Sequence, residues 1–210
     1  MPLLNDFTHQ FVPAEGTSRT TLVLLHGTGG DEHDLLPLGR ALDPAAALLS
    51  PRGRVVEGSM PRFFRRFAEG RFDLDDVRVR AAELTAWLDE AAIAYGLARD
   101  RMVAVGYSNG ANIAHATMLL HPESFAGASL LHAQFVLAPS PLPSLAGRAV
   151  FLAAGEADPI VPLAEAQRLA ETLAAAGATV TPFWSSGGHA LTREDVAQAK
   201  QWLNSSGWGS

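Results

Sequence analysis

Short apolar runs rich in β-branched residues alternate with longer amphipathic stretches, and this alternation restricts the fold more than any other feature of the chain. The runs are "TTLVLLHG" (20–27), "AALLSPRG" (46–53), "RMVAVGYS" (101–108), "GASLLHA" (127–133), "RAVFLAAG" (148–155) and "ATVTPFWSS" (178–186). Apolar on both alternating positions, they read as strands buried on both faces of a parallel sheet. Between them lie helix patterns with recognisable ends. "DEHDLLPLGRALD" (31–43) opens on acids suited to a helix N-terminus. "DDVRVRAAELTAWLDEAAIAYG" (75–96) sets Val79, Leu84, Trp87, Leu88 and Ala91 near one face and ends on glycine. "NGANIAHATMLLHPES" (109–124) stops at a proline, and "PLAEAQRLAETLAAAG" (162–177) runs from proline to glycine. "TREDVAQAKQWLN" (192–204) begins with the Thr192/Asp195 spacing of a capping box.

Strand–helix alternation of this length predicts an α/β fold, a mostly parallel central sheet with helices on both faces. "FTHQFVPA" (7–14) is expected to add an antiparallel edge strand. The 210 residues suit one domain and leave no room for a large cap. Its packed core is expected over about 19–204, with 205–210 a flexible tail. "PRGRVVEGSMPRFFRRFAEGRFDLDD" (51–76) fits neither segment class and reads as a lid or binding loop.

Composition limits the function classes. The net charge of −6 is spread along the chain, which argues against a nucleic-acid groove and against an anionic membrane surface as partners. Of the 16 basic residues only Lys200 is a lysine. Cysteine is absent, which removes disulfides, thiolate catalysis and Cys-based metal sites. No apolar stretch is long enough for a membrane span, and "MPLLNDFTHQFVPAEG" lacks the pattern of a signal peptide, so the expected location is the cytoplasm.

The chemistry is concentrated at the expected carboxyl ends of strands, where open α/β sheets bind ligands. In "VAVGYSNGAN" (103–112) Ser108 stands between Gly106 and Gly110 at a strand-to-helix junction. Glycines at those positions relieve the crowding of a sharp turn that holds a serine out at a helix N-terminus. A serine hydroxyl becomes a nucleophile only when a base takes its proton and an acid orients that base. "FLAAGEADPIVP" (151–162) offers Asp158, with Glu156 as a rival, and "TPFWSSGGHALT" (181–192) offers His189. The order Ser108, Asp158, His189 is that of the α/β-hydrolase fold. The expected oxyanion donors are the backbone N–H groups of Thr28, in "HGTGG" (26–30), and of Asn109. His26 is expected to brace its turn, His115 to pack, His121 to cap, His132 to border the pocket, and His9 and His33 to lie at the surface. No histidine pair has a zinc-binding spacing, so neither metal nor cofactor is expected. Met60, Phe63, Phe64 and Phe135 are candidates for pocket walls.

"LLHGTGGDEHDLLPL", "GYSNGANIA", "AGEADPIVP" and "SGGHALT" together resemble the carboxylesterase/phospholipase family of small α/β hydrolases, which includes acyl-protein thioesterases. The 51–76 segment resembles the bacterial branch associated with hydroquinone and quinone stress. The resemblance runs from about Thr20 to Trp202. It implies a serine carboxylesterase acting on a small or aromatic ester, with Ser108, Asp158 and His189 catalytic, and a tendency to form homodimers. Gly-Tyr-Ser-Asn-Gly departs from the Gly-Phe-Ser-Gln-Gly of the acyl-protein thioesterases, which weakens transfer of their specificity. Thioesterase, lysophospholipase or lactone hydrolase activity on the same triad, and a non-catalytic binder of small aromatic ligands, are the competing expectations.

Overall fold

The computed structural model describes residues 4–208. Seven strands form the central sheet: β1 (His9–Val12), β2 (Thr21–Leu25), β3 (Ala47–Pro51), β8 (Met102–Tyr107), β9 (Gly127–Leu131), β10 (Ala149–Gly155) and β11 (Thr179–Ser185), in the spatial order β1-β3-β2-β8-β9-β10-β11. The edge strand β1 runs antiparallel to β3, and every other pair is parallel. Five helices cover the sheet: α1 (Leu36–Leu42), α2 (Leu74–Tyr95), α3 (Asn109–Leu120), α4 (Leu163–Ala175) and α5 (Arg193–Ser205). Alternate side chains of β2 and β8 feed two cores. Val23, Leu25, Met102 and Ala104 pack with α2, α3 and α4 on one face. Leu22, Leu24, Val103 and Val105 pack with residues of α1 and α5 on the other. Burial on both faces explains why these strands read as continuous apolar runs. This is the α/β-hydrolase fold, without a cap domain among the described residues.

Local details depart from expectation for physical reasons. β11 is partly exposed along most of its length rather than buried, because it is the far edge of the sheet, where Pro182 is tolerated. α1 spans only residues 36–42. The Asp31 carboxylate accepts from the His33 N–H at 2.8 Å, and such side-chain bonds compete with a helix start. α2 exposes Val79, while Leu84, Trp87, Leu88 and Ala91 are buried as expected. Its ends are held by the Asp73 carboxylate, which accepts from the Asp76 N–H, and by left-handed Gly96. The Thr192–Asp195 capping box of α5 is present in both directions.

The 51–76 segment is not an open loop. It forms two small hairpins, β4 (Val55–Glu57) with β5 (Met60–Arg62) and β6 (Arg66–Ala68) with β7 (Arg71–Phe72). Between them Phe63 and Phe64 sink into the core and hold the hairpins against the sheet. The expected tail is partly anchored as well. The Thr20 hydroxyl donates to the Trp208 carbonyl at 2.7 Å and the Arg101 guanidinium lies 5.0 Å from the Trp208 ring; Gly209 and Ser210 lie outside the described residues. His9 is half-buried rather than superficial, bonded to the Tyr95 hydroxyl and the Phe7 carbonyl. No described helix is long and apolar enough to cross a membrane.

α3 is buried along nearly its whole length, and His115 sits on it fully enclosed, with Nε2 3.0 Å from the Gln134 carbonyl. Burial lowers its pKa from the ordinary 6.5 to about 4, partly offset by that hydrogen bond. Between those values the unfolded chain binds the proton and the folded chain does not, so stability should fall as pH drops from 6.5 toward 4, by roughly 3 kcal/mol. His115→Gln keeps a donor toward Gln134 and should flatten that decline in urea titrations between pH 7.5 and 4.5. Equal declines in both proteins would refute the assignment.

Candidate active site

The segments after β2, β8, β10 and β11 meet the two hairpins at one cleft of about 230 Å³, lined by Thr28, Arg62, Arg66, Phe72, Tyr107, Ser108, Asn109, Ile160 and His189 among others. Ser108 follows β8 and precedes the first turn of α3, with φ 51° and ψ −114°. A non-glycine residue at such angles is strained by about 1–3 kcal/mol. It is retained by its surroundings: the Ser108 N–H donates to the Leu131 carbonyl at 2.9 Å, and the Ser108 carbonyl accepts from the Asn112 N–H at 2.9 Å. The flanking glycines are obligatory. A Cβ on Gly110 would lie 1.8 Å from the Leu25 carbonyl oxygen, and one on Gly106 would lie 2.6 Å from the Ala111 backbone.

His189 bridges the serine and an acid. Its Nε2 stands 3.0 Å from Ser108 Oγ, and its Nδ1 stands 2.7 Å from Asp158 Oδ2. The other carboxylate oxygen of Asp158 accepts from the backbone N–H groups of Ile160 (2.8 Å) and Val161 (3.0 Å). Burial pushes the Asp158 pKa up. The Val161, His189 and Ile160 hydrogen bonds outweigh it and hold the carboxyl below its usual range, so it is ionised at neutral pH. An ionised acid on Nδ1 directs that nitrogen to carry the proton and leaves Nε2 free to accept one from Ser108. Ser108, Asp158 and His189 are therefore together. Glu156, the rival acid, is exposed and plays no part in this chain of bonds.

The two loops that carry the acid and the base are joined to each other. Glu156 N–H donates to the Ser185 carbonyl and Ala157 N–H to the Gly187 carbonyl. Gly155 makes the close approach feasible, since a Cβ there would lie 2.4 Å from the Gly187 and Gly188 oxygens. Tyr107 closes one side, its hydroxyl donating to the His189 carbonyl at 2.9 Å. Burial, then the Asp158 and Asp195 carboxylates, raise its pKa, so it stays a neutral donor.

His132, expected only to border the pocket, lies beneath it. It is fully buried at φ 53°, with Nδ1 3.5 Å from Asp158 Oδ2 and Nε2 3.4 Å from Asp195 Oδ2. The ligand atoms of His132, Asp158 and His189 lie within 4.8 Å of one another, a spacing set by the His189–Asp158 hydrogen bond and by the 3.5 Å approach of His132 Nδ1 to the same carboxylate oxygen. His26 braces its turn: its Nδ1–H donates to the Gly27 carbonyl at 2.7 Å and its Nε2 accepts from the Gly53 N–H at 2.9 Å. Burial lowers its pKa and keeps it neutral, which that bonding pattern requires.

Thr28 and Asn109 both face the cleft beside Ser108. As the first residue of α3, Asn109 has an N–H without an intrahelical acceptor. The four apolar wall candidates fall elsewhere. Phe63 and Phe64 are core residues, and Met60 is exposed beside Gly29. Phe135 lies in a neighbouring depression, under the Arg168 guanidinium at 4.0 Å. The hydrophobic pull that made these aromatics conspicuous in the sequence fastens the hairpins to the body. Arg62 and Arg66 line the cleft instead.

Residues 8–206 match the phospholipase/carboxylesterase family. MhqD of Bacillus subtilis (strain 168), named as a hydrolase, is 47% identical over 188 residues, covering 90% of this chain and 94% of that protein. The Bacillus cereus carboxylesterase superposes with a TM-score of 0.93 at 46% identity, over 95% of this chain and 94% of that one. The carboxylesterase from Mesorhizobium loti does so with a TM-score of 0.90 at 37% identity, over 97% and 98%. The chain belongs to the phospholipase/carboxylesterase family. It is thus a carboxylic ester hydrolase, and the expectation of a binding-only protein is set aside.

Gly155→Ala should part the acid and base loops and lower kcat/KM by about 10²-fold, the scale expected of a misplacement near 1 Å. Gly187→Ala is the control, because its Cβ would meet nothing closer than 3.4 Å. Steady-state rates on an activated ester decide; equal activity in the two variants would contradict the steric argument.

Proposed function

We propose that this protein is a serine carboxylesterase that cleaves small carboxylic esters through an acyl-Ser108 intermediate. The observation that carries the reading is the continuous chain Ser108 Oγ–His189–Asp158, with both imidazole nitrogens within hydrogen-bond distance of their partners. In the first half-reaction Ser108 Oγ attacks the ester carbonyl while His189 Nε2 takes its proton. Asp158 stabilises the resulting imidazolium, and the tetrahedral oxyanion accepts hydrogen bonds from the Thr28 and Asn109 N–H groups. His189 then protonates the departing alkoxide, which leaves as alcohol. In the second half-reaction water attacks the acyl carbon, giving its proton to His189, and collapse of the second tetrahedral species returns that proton to Ser108 and releases the acid.

The cleft supports a small substrate. Phe72, Tyr107 and Ile160 offer apolar and aromatic contact, and about 230 Å³ suits a short acyl or aryl group better than a long chain. A thioester or lactone presents the same carbonyl to the same groups, and the cleft size favours a short acyl group over a long one in each case.

Ser108→Ala should abolish turnover of p-nitrophenyl acetate above background in a chain of unchanged circular dichroism. Asp158→Asn should leave the fold intact and reduce kcat by about 10⁴-fold through loss of the correct imidazole tautomer. Turnover by Ser108→Ala at the native rate would overturn the proposal.

A further inference from the structure

The hairpin segment Pro61–Arg62–Phe63 touches both residues whose N–H groups are proposed to hold the oxyanion. On the Thr28 side there are two bonds. Arg62 Nη1 donates to Thr28 Oγ1 at 2.6 Å, and the Gly29 N–H donates to the Pro61 carbonyl at 2.9 Å. On the Asn109 side, the Phe63 N–H donates to Asn109 Oδ1 at 2.8 Å. Arg62 is 2% exposed and Asn109 is equally buried; the Phe63–Asn109 bond is buried and the Arg62–Thr28 bond is part-buried at the cleft wall.

The segment itself is tightly held. A Cβ on Gly53 would lie 2.4 Å from the Arg62 carbonyl, so that residue packs directly against the strand. The Phe63 ring lies 4.8 Å from the His26 ring, and His26 in turn fixes the Gly27 carbonyl. Arg62 Nε also lies 3.3 Å from both the Phe64 carbonyl and the Glu57 carboxylate, and Arg66 engages the same Glu57 at 3.0 Å. These partners restrict where the Arg62 guanidinium, and with it the Thr28 hydroxyl, can sit. The backbone donors of an oxyanion hole cannot be removed by side-chain mutation, but they can be displaced by freeing the residues that carry them.

We propose that Pro61–Arg62–Phe63 is a clamp setting the separation of the Thr28 and Asn109 N–H groups, with Arg62 a positioning residue acting through the Thr28 hydroxyl; this rests on the Ser108 reading above. The clamp ties together two donors that come from different strands, β2 and β8. Asn109 thereby serves twice, since its short side chain reaches the Phe63 N–H while its backbone faces the cleft. The interactions that the clamp fixes matter in the transition state, where negative charge develops on the carbonyl oxygen, and less in ground-state binding.

The test compares Thr28→Val, which deletes the hydroxyl but keeps the shape, with Thr28→Ser, which keeps the hydroxyl. Arg62→Met and the Thr28→Val/Arg62→Met double variant complete the set, all assayed on p-nitrophenyl acetate alongside Ser108→Ala. Thr28→Val and Arg62→Met should each lower kcat by about 10- to 100-fold with KM within about threefold, a part of the 10²–10³ lost when an oxyanion donor is removed outright. The double variant should be no worse than the more impaired single variant, because both cut the same contact. Thr28→Ser, which restores the acceptor for Arg62, should recover most of the kcat lost in Thr28→Val. If Arg62→Met does not fold, the Thr28→Val and Thr28→Ser pair decides alone. Native kcat in Thr28→Val, equal loss in Thr28→Val and Thr28→Ser, or a raised KM with unchanged kcat overturns the clamp while Ser108→Ala remains inactive. Activity in Ser108→Ala overturns the underlying reading, and the clamp with it.

Discussion

The junction between β8 and α3 is the constraint around which the rest of the molecule is arranged. Ser108 occupies a backbone conformation, φ 51° and ψ −114°, that an L-residue adopts only when its neighbours leave no alternative. Two of those neighbours must be glycine, since Gly106 and Gly110 each leave no space for a Cβ. The strands on either side supply the hydrogen bonds and the walls. The strained turn lifts the serine side chain out of the sheet while leaving the N-terminal end of α3 directed at it, so position and electrostatics arise from the same piece of backbone.

Charge in the cleft is controlled by contacts rather than by solvent. Asp158 is kept ionised against burial by two backbone N–H groups and an imidazole, and His132 lies behind it between two carboxylates. The arginines at the cleft wall are engaged as well, Arg66 with Glu57 and Glu69 and Arg62 with Glu57 and Thr28. Among these groups, charges that shape the site are fixed in place before any substrate arrives, which is the condition for electrostatic stabilisation of a transition state.

Much of this was legible in the sequence because it is local. Ser108, Asp158 and His189 each follow an apolar run that breaks at glycine or proline, and the strand before and the helix after each break are long enough to show their pattern. The hairpins were not legible: strands of two or three residues fall below the length at which alternation can be read. Phe63 and Phe64 looked like pocket walls because exposure cannot be inferred from residue type within an irregular segment. His132 and Arg62 acquire their roles from partners 63 and 34 residues away, Asp195 and Thr28, and no local pattern encodes such contacts. Glycine signalled correctly at Gly106 and Gly110, where a close approach demands it, but the same need at Gly155 is visible only once β10 and β11 are side by side.

The most direct test of the central claim is covalent capture of the nucleophile. Incubation of the native chain with a fluorophosphonate, followed by peptide mapping, is predicted to place one adduct per chain on Ser108, at a rate that falls sharply in Asp158→Asn. An unmodified Ser108, or an adduct on another serine with Ser108 free, would contradict the account.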